Sequence, residues 1–339
     1  MRLSSRSHLV IHDPDSIRQR IYDRIGPDLE RVEREIQSHL DTDIPLISVV
    51  GRYIMNSGGK RLRPLLMILA AKLCGYRGED DVKLAVVFEL LHAATLLHDD
   101  VVDNAEVRRK HPAANTLWGN PAVVLVGDYL YSRSILMAVR YNSVDILEVL
   151  SSATTRMAEG EVLQLIHADN LEVDEGEYLK IIERKTAVLM SAACQIGVLF
   201  GGGSDAEAEA ARRYGRHLGI AFQLVDDTLD YMGDVEELGK PVGNDIQEGK
   251  TTLPLIFALA NGSSRAREEL KRIFSAEEIS AEDFSRVREL VTQAGGIEYT
   301  MKLAEDHVSR AKGALSIFPP QSAREILVDI ADYVVCRKM

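Results

Sequence analysis

Two clusters of aspartates carry the chemistry that this sequence announces. The first, HAATLLHDDVVDNAEVRRKHPAANTLW at 92–118, contains Asp99, Asp100 and Asp103; the second, QLVDDTLDYMGD at 223–234, contains Asp226, Asp227 and Asp230. In each cluster the first and last acids stand four residues apart, so on a helix they share one face. Stacked anions repel, and those of the first cluster also sit near the negative end of their helix dipole. Folding does not ask for that arrangement. A hard divalent cation does, because Mg2+ is held by one or two carboxylates together with substrate phosphate oxygens. Arg108, Arg109 and Lys110, just after the first cluster, are placed to receive such a phosphate.

The elements that must position these groups read as helices. A run without glycine or proline, ELLHAATLL, leads into the first cluster, and GIAFQLV leads into the second. Good helix formers at apolar spacing put both clusters at the ends of buried helical segments. Two facing helices with acids at the same end would line one cavity mouth and hold two or three Mg2+ ions between them. Ile17, Ile21, Ile25, Leu29 and Val32 predict an amphipathic helix over 15–40. Gly58-Gly59 breaks the chain before Lys60-Arg61-Leu62-Arg63-Pro64, where the proline marks a first helical turn and its free N–H groups suit an anion. Asn120-Pro121 reads as N-cap and first residue of a helix to Arg140, followed by one over 144–167. Asp174 with Glu177 reads as a capping box opening one helix to Phe200 that carries Lys185 and Thr186. The next helix spans 205–232, and a polar loop with Lys240, Asp245 and Lys250 follows as a candidate lid. No alternating strand pattern is convincing, so the class is all-α.

Composition limits the partners. A net charge of -12 over 339 residues argues against nucleic acid. Anionic substrates would then be met by metal ions and a few focused cations. Cys74, Cys194 and Cys336 are scattered and read as buried thiols of a reducing compartment. No apolar run of membrane-span length is read, and residues 1–14 read as a frayed N-terminus.

The sequence resembles the trans-isoprenyl diphosphate synthase family over essentially its whole length. The motifs are GGKRLRP at 58–64, DDVVDNAEVRR at 99–109, KT at 185–186 and QLVDDTLD at 223–230, with GKPVGND and EGKTTLP after them. HAATLLHDDVVD is most similar to the long-chain, octaprenyl-type enzymes. The resemblance implies the isoprenoid synthase fold: one domain, a bundle of antiparallel helices around a deep central cavity. It implies head-to-tail condensation of isopentenyl diphosphate with an allylic diphosphate, and a cytoplasmic homodimer. Lys60, Arg63, His92 and Arg109 would hold isopentenyl diphosphate. Arg108, Lys185, Thr186, Gln223, Lys240 and Lys250 would hold the allylic diphosphate, with Lys185 also catalytic. Asp99 and Asp103 would bind two ions and Asp226 a third, with Asp100, Asp227 and Asp230 behind them or acting through water. In such enzymes the positions of Ala94 and Thr95 gate elongation, and small residues there leave a channel open. Thr95 and Ala94 lie ~6 and ~7.5 Å below Asp99 along a helix. Phe88, ~16 Å down, is either the floor of that channel or ordinary core. The other readings are a shorter-chain synthase, another class I terpenoid enzyme such as a cyclase, and a non-catalytic synthase subunit.

Overall fold

The computed structural model describes residues 14–232, 244–276 and 279–336. Sixteen α-helices form among them. In chain order these are α1 Pro14–His39, α2 Pro45–Asn56, α3 Leu62–Leu73, α4 Asp80–Val102, α5 Ala114–Trp118, α6 Asn120–Val139, α7 Val144–Ile166 and α8 Glu175–Ile182. After a π turn at Glu183–Ala187 come α9 Val188–Phe200, α10 Asp205–Met232, α11 Asn244–Gln247, α12 Leu253–Asn261, α13 Ser264–Phe274, α14 Ala281–Gln293, α15 Gly296–Ala314 and α16 Ser322–Cys336. The bounds read from periodicity for α1, α7 and α10 agree with these to within about one residue. The N-terminal segment read as frayed falls, but for Pro14, outside the described residues, and Pro14 opens α1.

Helix α9 is the axis of the fold. Nine of its thirteen residues are buried, all between Leu189 and Val198, because α3, α4, α7 and α10 pack around it. A helix apolar on all sides is stable only when enclosed in this way. The main core runs through α1, α3, α4, α9, α10, α15 and α16. A second cluster joins Tyr231 of α10 to Ile246, Leu255, Leu270 and Val287 of the helices that follow.

Four expectations are corrected. The single helix expected from Asp174 to Phe200 is interrupted by the π turn at Glu183–Ala187, which shifts the register exactly where Lys185 and Thr186 stand. Asn120 is the first residue of α6, and Gly119 is its N-cap. A two-residue antiparallel ribbon, β1 Val107–Arg108 and β2 His111–Pro112, lies in the all-α chain. Arg109 and Lys110 make its turn with φ of 51° and 69°, the left-handed pair that a two-residue hairpin needs. Helix α6 is long and apolar enough to cross a membrane by length and composition alone, although Asp128 and Arg133 interrupt its apolar run. Leu125, Leu136 and Val139 of α6 are exposed, as are Val162, Leu165 and Ile166 at the end of the adjacent α7. The three cysteines are free; Cys194 is buried, but Cys74 and Cys336 are only half-buried.

The packing of α10 on α15 encloses a histidine pair. The Nδ1 atoms of His217 and His307 are 3.1 Å apart. Burial, Arg216 and Arg310 lower the pKa of His217 to about 4, against Glu183. Burial, His217 and Arg310 do the same to His307, against Asp306. Both rings are therefore neutral in the fold and protonate more readily once unfolded. Their contribution to stability is complete above pH ~6.5 and is lost as pH falls from there toward 4. Thermal midpoints measured from pH 7.5 to 4.5 should fall across that window, and the fall should be shallower in a His217→Phe/His307→Leu variant.

Candidate active site

The end of α4 presents the first aspartates. Asp99 lies in its last turn and Asp103 caps it. Burial raises the pKa of Asp99, Asp103 raises it further, and Lys185 opposes both. Asp100 points the other way. It is fully buried and paired with Arg108, while its Oδ2 has no partner. The ribbon explains this pairing, since its turn folds Arg108 back onto α4. The same turn sends Arg109 to the carbonyl of Gly58, at the start of the GGKRLRP segment.

A group of cations gathers beside these acids. Arg63 is half-buried at the start of α3, and its Nε has no hydrogen-bond partner. Burial lowers its pKa; Glu89 and Asp226 work against that, while Arg109 reinforces it. His92 is held well below its ordinary pKa by burial and then by Arg63, Arg109, Arg108 and Arg61. It is a neutral imidazole among guanidiniums. Arg61 plays a different part: it is buried between Glu33 at 2.6 Å and Glu89 at 2.9 Å, and donates to the carbonyl of Met55. As the N-cap of α3, it anchors the helix start that carries Arg63. Lys60 is exposed, with its Nζ 5.3 Å from the centre of the Tyr333 ring of α16. An unpartnered, buried guanidinium nitrogen beside a crowd of like charges is what a bound anion would complete.

Opposite lies a small cavity of about 120 Å³ bordered by Lys185, Thr186, Gln223, Asp227, Asp245 and Lys250. The π turn places Lys185 against Glu161 of α7, with Nζ to Oε2 at 2.8 Å. Burial, and then Asp99, raise the pKa of Glu161. Thr186 donates to Gln223 Oε1 at 2.9 Å, and Gln223 donates to Asp227 Oδ1 at 2.7 Å. Asp227 is buried, and burial pushes its pKa up to about 6 against hydrogen bonds from Tyr178 and Gln223. Asp226 and Asp230 are half-buried on the same helix, and the backbone N–H of Asp245 donates to Asp230 Oδ2 at 3.1 Å. Lys250 Nζ lies 3.4 Å from Asp103 Oδ2 and pairs with Glu248. Burial works against its charge, yet Glu248, Asp103 and Asp245 together raise its pKa. Segment 244–250 therefore touches both aspartate motifs. The rest of the expected lid, with Lys240, lies outside the described residues.

Both motifs thus face one mouth. Asp99 senses Lys185, Asp103 meets Lys250, and Asp226 lies in the field of Arg63. Among the described residues no three or more His, Cys, Asp or Glu side chains are already drawn together as a metal cage. The donors are hard carboxylate oxygens on opposite walls, a set that fits an ion completed by substrate phosphate. Ala94 and Phe88 are buried in the main core, and Thr95 donates to the His92 carbonyl at 2.8 Å. Neither the cavity at Lys185 nor a second one beside Lys60 is lined by these three. Glu161 and Tyr178 belong to the site and carry no motif in the sequence. The one local sign of Glu161 is the glycine before it, in a helix facing the KT pair.

That glycine matters to the geometry. A Cβ at Gly160 would stand 2.7 Å from Lys185 N, and one at Gly219 would stand 2.5 Å from Ala187 Cα. Both helices flanking the π turn approach its backbone only because these positions lack a side chain.

A family model described as polyprenyl synthetase matches residues 44–291. The octaprenyl diphosphate synthase of Escherichia coli is 40% identical over 319 residues, covering 94% of this chain and 98% of that one. A short chain isoprenyl diphosphate synthase of Methanothermobacter thermautotrophicus is 38% identical, covering 90% and 95%. A crystal structure of a polyprenyl synthase from Caulobacter crescentus, complexed with calcium and isoprenyl diphosphate, superposes with a TM-score of 0.91 at 42% identity, covering 95% of this chain and 98% of that one.

Gly160→Ala and Gly219→Ala should each destabilise the fold by about 1–3 kcal/mol through overpacking. Denaturant midpoints of the two variants measure that loss.

Proposed function

Because this chain belongs to the polyprenyl synthetase family, whose members are metal-dependent prenyltransferases, we propose that it uses Mg2+, two or three ions per site, to join isopentenyl diphosphate to an allylic diphosphate. The observation that carries this reading is the meeting of Asp99, Asp103 and Asp226 with Lys185, Lys250 and Arg63 at one mouth. Asp99 and Asp103 hold ions on one wall and Asp226 on the other. Asp230 acts behind them; Asp100 is fully buried and turned to Arg108, and Asp227 has both oxygens bonded to Tyr178 and Gln223, so neither is a direct ligand. Lys185, Thr186, Lys250 and Lys240 receive the allylic diphosphate, with Arg108 and Gln223 stiffening that wall. Arg63, His92 and Arg109, with Lys60 at the rim, receive isopentenyl diphosphate.

The chemistry follows from this division. Bound Mg2+ supplies Lewis acidity that draws charge from the departing diphosphate. Lys185 and Lys250 stabilise the same developing charge, so the allylic C–O bond breaks with its electron pair on the diphosphate and a carbocation forms. Arg63 and Arg109 hold isopentenyl diphosphate with its double bond toward that cation. The new C–C bond leaves a tertiary cation, and the diphosphate just released takes its proton. Segment 244–250, set against both motifs, helps exclude water that would quench the cation.

The product is a long-chain, all-trans polyprenyl diphosphate of octaprenyl type. The likeness to the Escherichia coli enzyme supports this, as does the family resemblance at the small residues Ala94 and Thr95, although these line neither cavity. The similarity to a short chain synthase keeps shorter products, geranylgeranyl or farnesyl diphosphate, as the second reading. The exposed apolar residues of α6 and α7 support a homodimer that covers them. Continuity of α10 through both core clusters supports a single domain, and three free cysteines support a reducing, cytoplasmic setting.

Incubating the purified protein with farnesyl diphosphate, isopentenyl diphosphate and Mg2+ and reading chain length tests the proposal. Asp99→Ala and Asp226→Ala should each lower turnover by about 10²–10³-fold or more, with the helical circular dichroism unchanged. Near-normal condensation by both would refute the metal assignment. Ala94→Phe should shorten the product, and an unaltered distribution would place the gate elsewhere.

A further inference from the structure

The second aspartate motif is held in place by a residue outside either motif. Both oxygens of Asp227 are engaged within the protein: the Tyr178 hydroxyl donates to Oδ2 at 2.6 Å and Gln223 Nε2 donates to Oδ1 at 2.7 Å. Asp227 and Tyr178 are each 4% exposed. Tyr178 stands in the first turn of α8, forty-nine residues before Asp227. The start of α8 is fixed by a complete capping box between Asp174 and Glu177, so the hydroxyl takes its position from α8 and not from α10. From Gln223 the chain of bonds continues to Thr186, whose Oγ1 donates to Gln223 Oε1 at 2.9 Å. One line of three hydrogen bonds therefore ties α8, α10 and the π turn together.

This line decides which acids face the mouth. Successive helix residues are ~100° apart, so Asp226 and Asp230 lie within ~40° of each other and Asp227 is turned ~60–100° away from them. Asp227 cannot swing toward a cation without stranding two buried donors. With it pinned inward, α10 cannot roll about its axis, and Asp226 and Asp230 stay on the face that looks across to α4. The same bonds occupy both ends of the Gln223 amide, so that side chain braces Thr186 and Asp227 together.

We infer that Tyr178 is a positioning residue: its hydroxyl fixes Asp227, and through Asp227 the roll of α10 that presents Asp226 to the metal ion bound with the allylic diphosphate. This rests on the metal reading proposed above. The test is calorimetric titration of the full chain with farnesyl thiodiphosphate, an unreactive allylic analogue, in Mg2+ and again in EDTA. Tyr178→Phe should weaken the Mg2+-dependent binding by about 10–100-fold, the usual effect of losing a partner that orients a metal ligand. Binding in EDTA should not change. Gln223→Leu opens the other arm of the same clamp; whatever the freed Thr186 costs with and without Mg2+, this variant should lose about 10–100-fold more affinity in Mg2+ than in EDTA, and it decides the question if the first variant does not fold. Tyr214→Phe is the control. It removes an equally buried hydroxyl, bonded to the Leu327 carbonyl at 2.7 Å, from the same α10, and should lower thermal stability without altering the Mg2+-dependent affinity. If Mg2+ strengthens binding to the wild type but neither Tyr178→Phe nor Gln223→Leu weakens it, the inference is overturned alone. Equal losses with and without Mg2+, or an equal loss in Tyr214→Phe, also overturn it. A wild type indifferent to Mg2+ overturns the metal reading and the inference with it.

Discussion

Carboxylates from two helices converge on one half-buried mouth, and their mutual repulsion is the constraint that organises everything around them. Two unit charges 4 Å apart interact by about 4 kcal/mol near a protein surface, far more than an ordinary exposed ion pair returns. Burial worsens the problem by removing water, which is why Asp99 and Glu161 are both held above the usual carboxylate range. The fold answers with cations set opposite each acid: Lys185 on Glu161, Lys250 on Asp103, and Arg63 toward Asp226. These cations are also the groups best placed to receive a diphosphate. On the function proposed above, arrival of a metal–diphosphate complex would exchange one set of compensated charges for another, and the same residues would serve stability without substrate and binding with it.

The rest of the architecture keeps those charges in register. The enclosed α9 gives α3, α4, α7 and α10 a common support. The π turn before it rotates Lys185 and Thr186 into the mouth, and π segments of this kind often mark functional positions. Glycines on the two flanking helices let that turn lie close to both. On the other side, Arg61 spends its guanidinium on Glu33 and Glu89, leaving Arg63, two residues on, with an unpartnered nitrogen. One arginine of the GGKRLRP segment holds the segment in place, while the other, on the function proposed above, would receive an anion.

Much of this was legible in the sequence because it was written in strong, local signals. The long amphipathic periods of α1 and α10 fixed those helices, and Asp174 with Glu177 marked a capping box that is fully formed. Both acidic boxes declared themselves by pairs of like charge at helical spacing. The π turn was not legible, since shifting one hydrogen bond from i+4 to i+5 leaves the apolar pattern nearly intact. The ribbon was hidden because Arg109 and Lys110, without glycine or asparagine, supply its left-handed turn. Glu161 and Tyr178 are single residues whose importance comes from partners 24 and 49 positions away, a distance no local pattern spans. The apolar character of α6 is visible in its sequence, but its exposure depends on which face the bundle covers.

The central claim is that acids on facing helices share metal ions with one diphosphate. Diffraction from crystals grown with Mn2+ and an unreactive allylic thiodiphosphate, recorded at the manganese edge, tests it most directly. The account predicts anomalous peaks between Asp99, Asp103 and Asp226, each bridged to diphosphate oxygens. A diphosphate held by Lys185 and Lys250 alone, with no manganese against either aspartate motif, would contradict it.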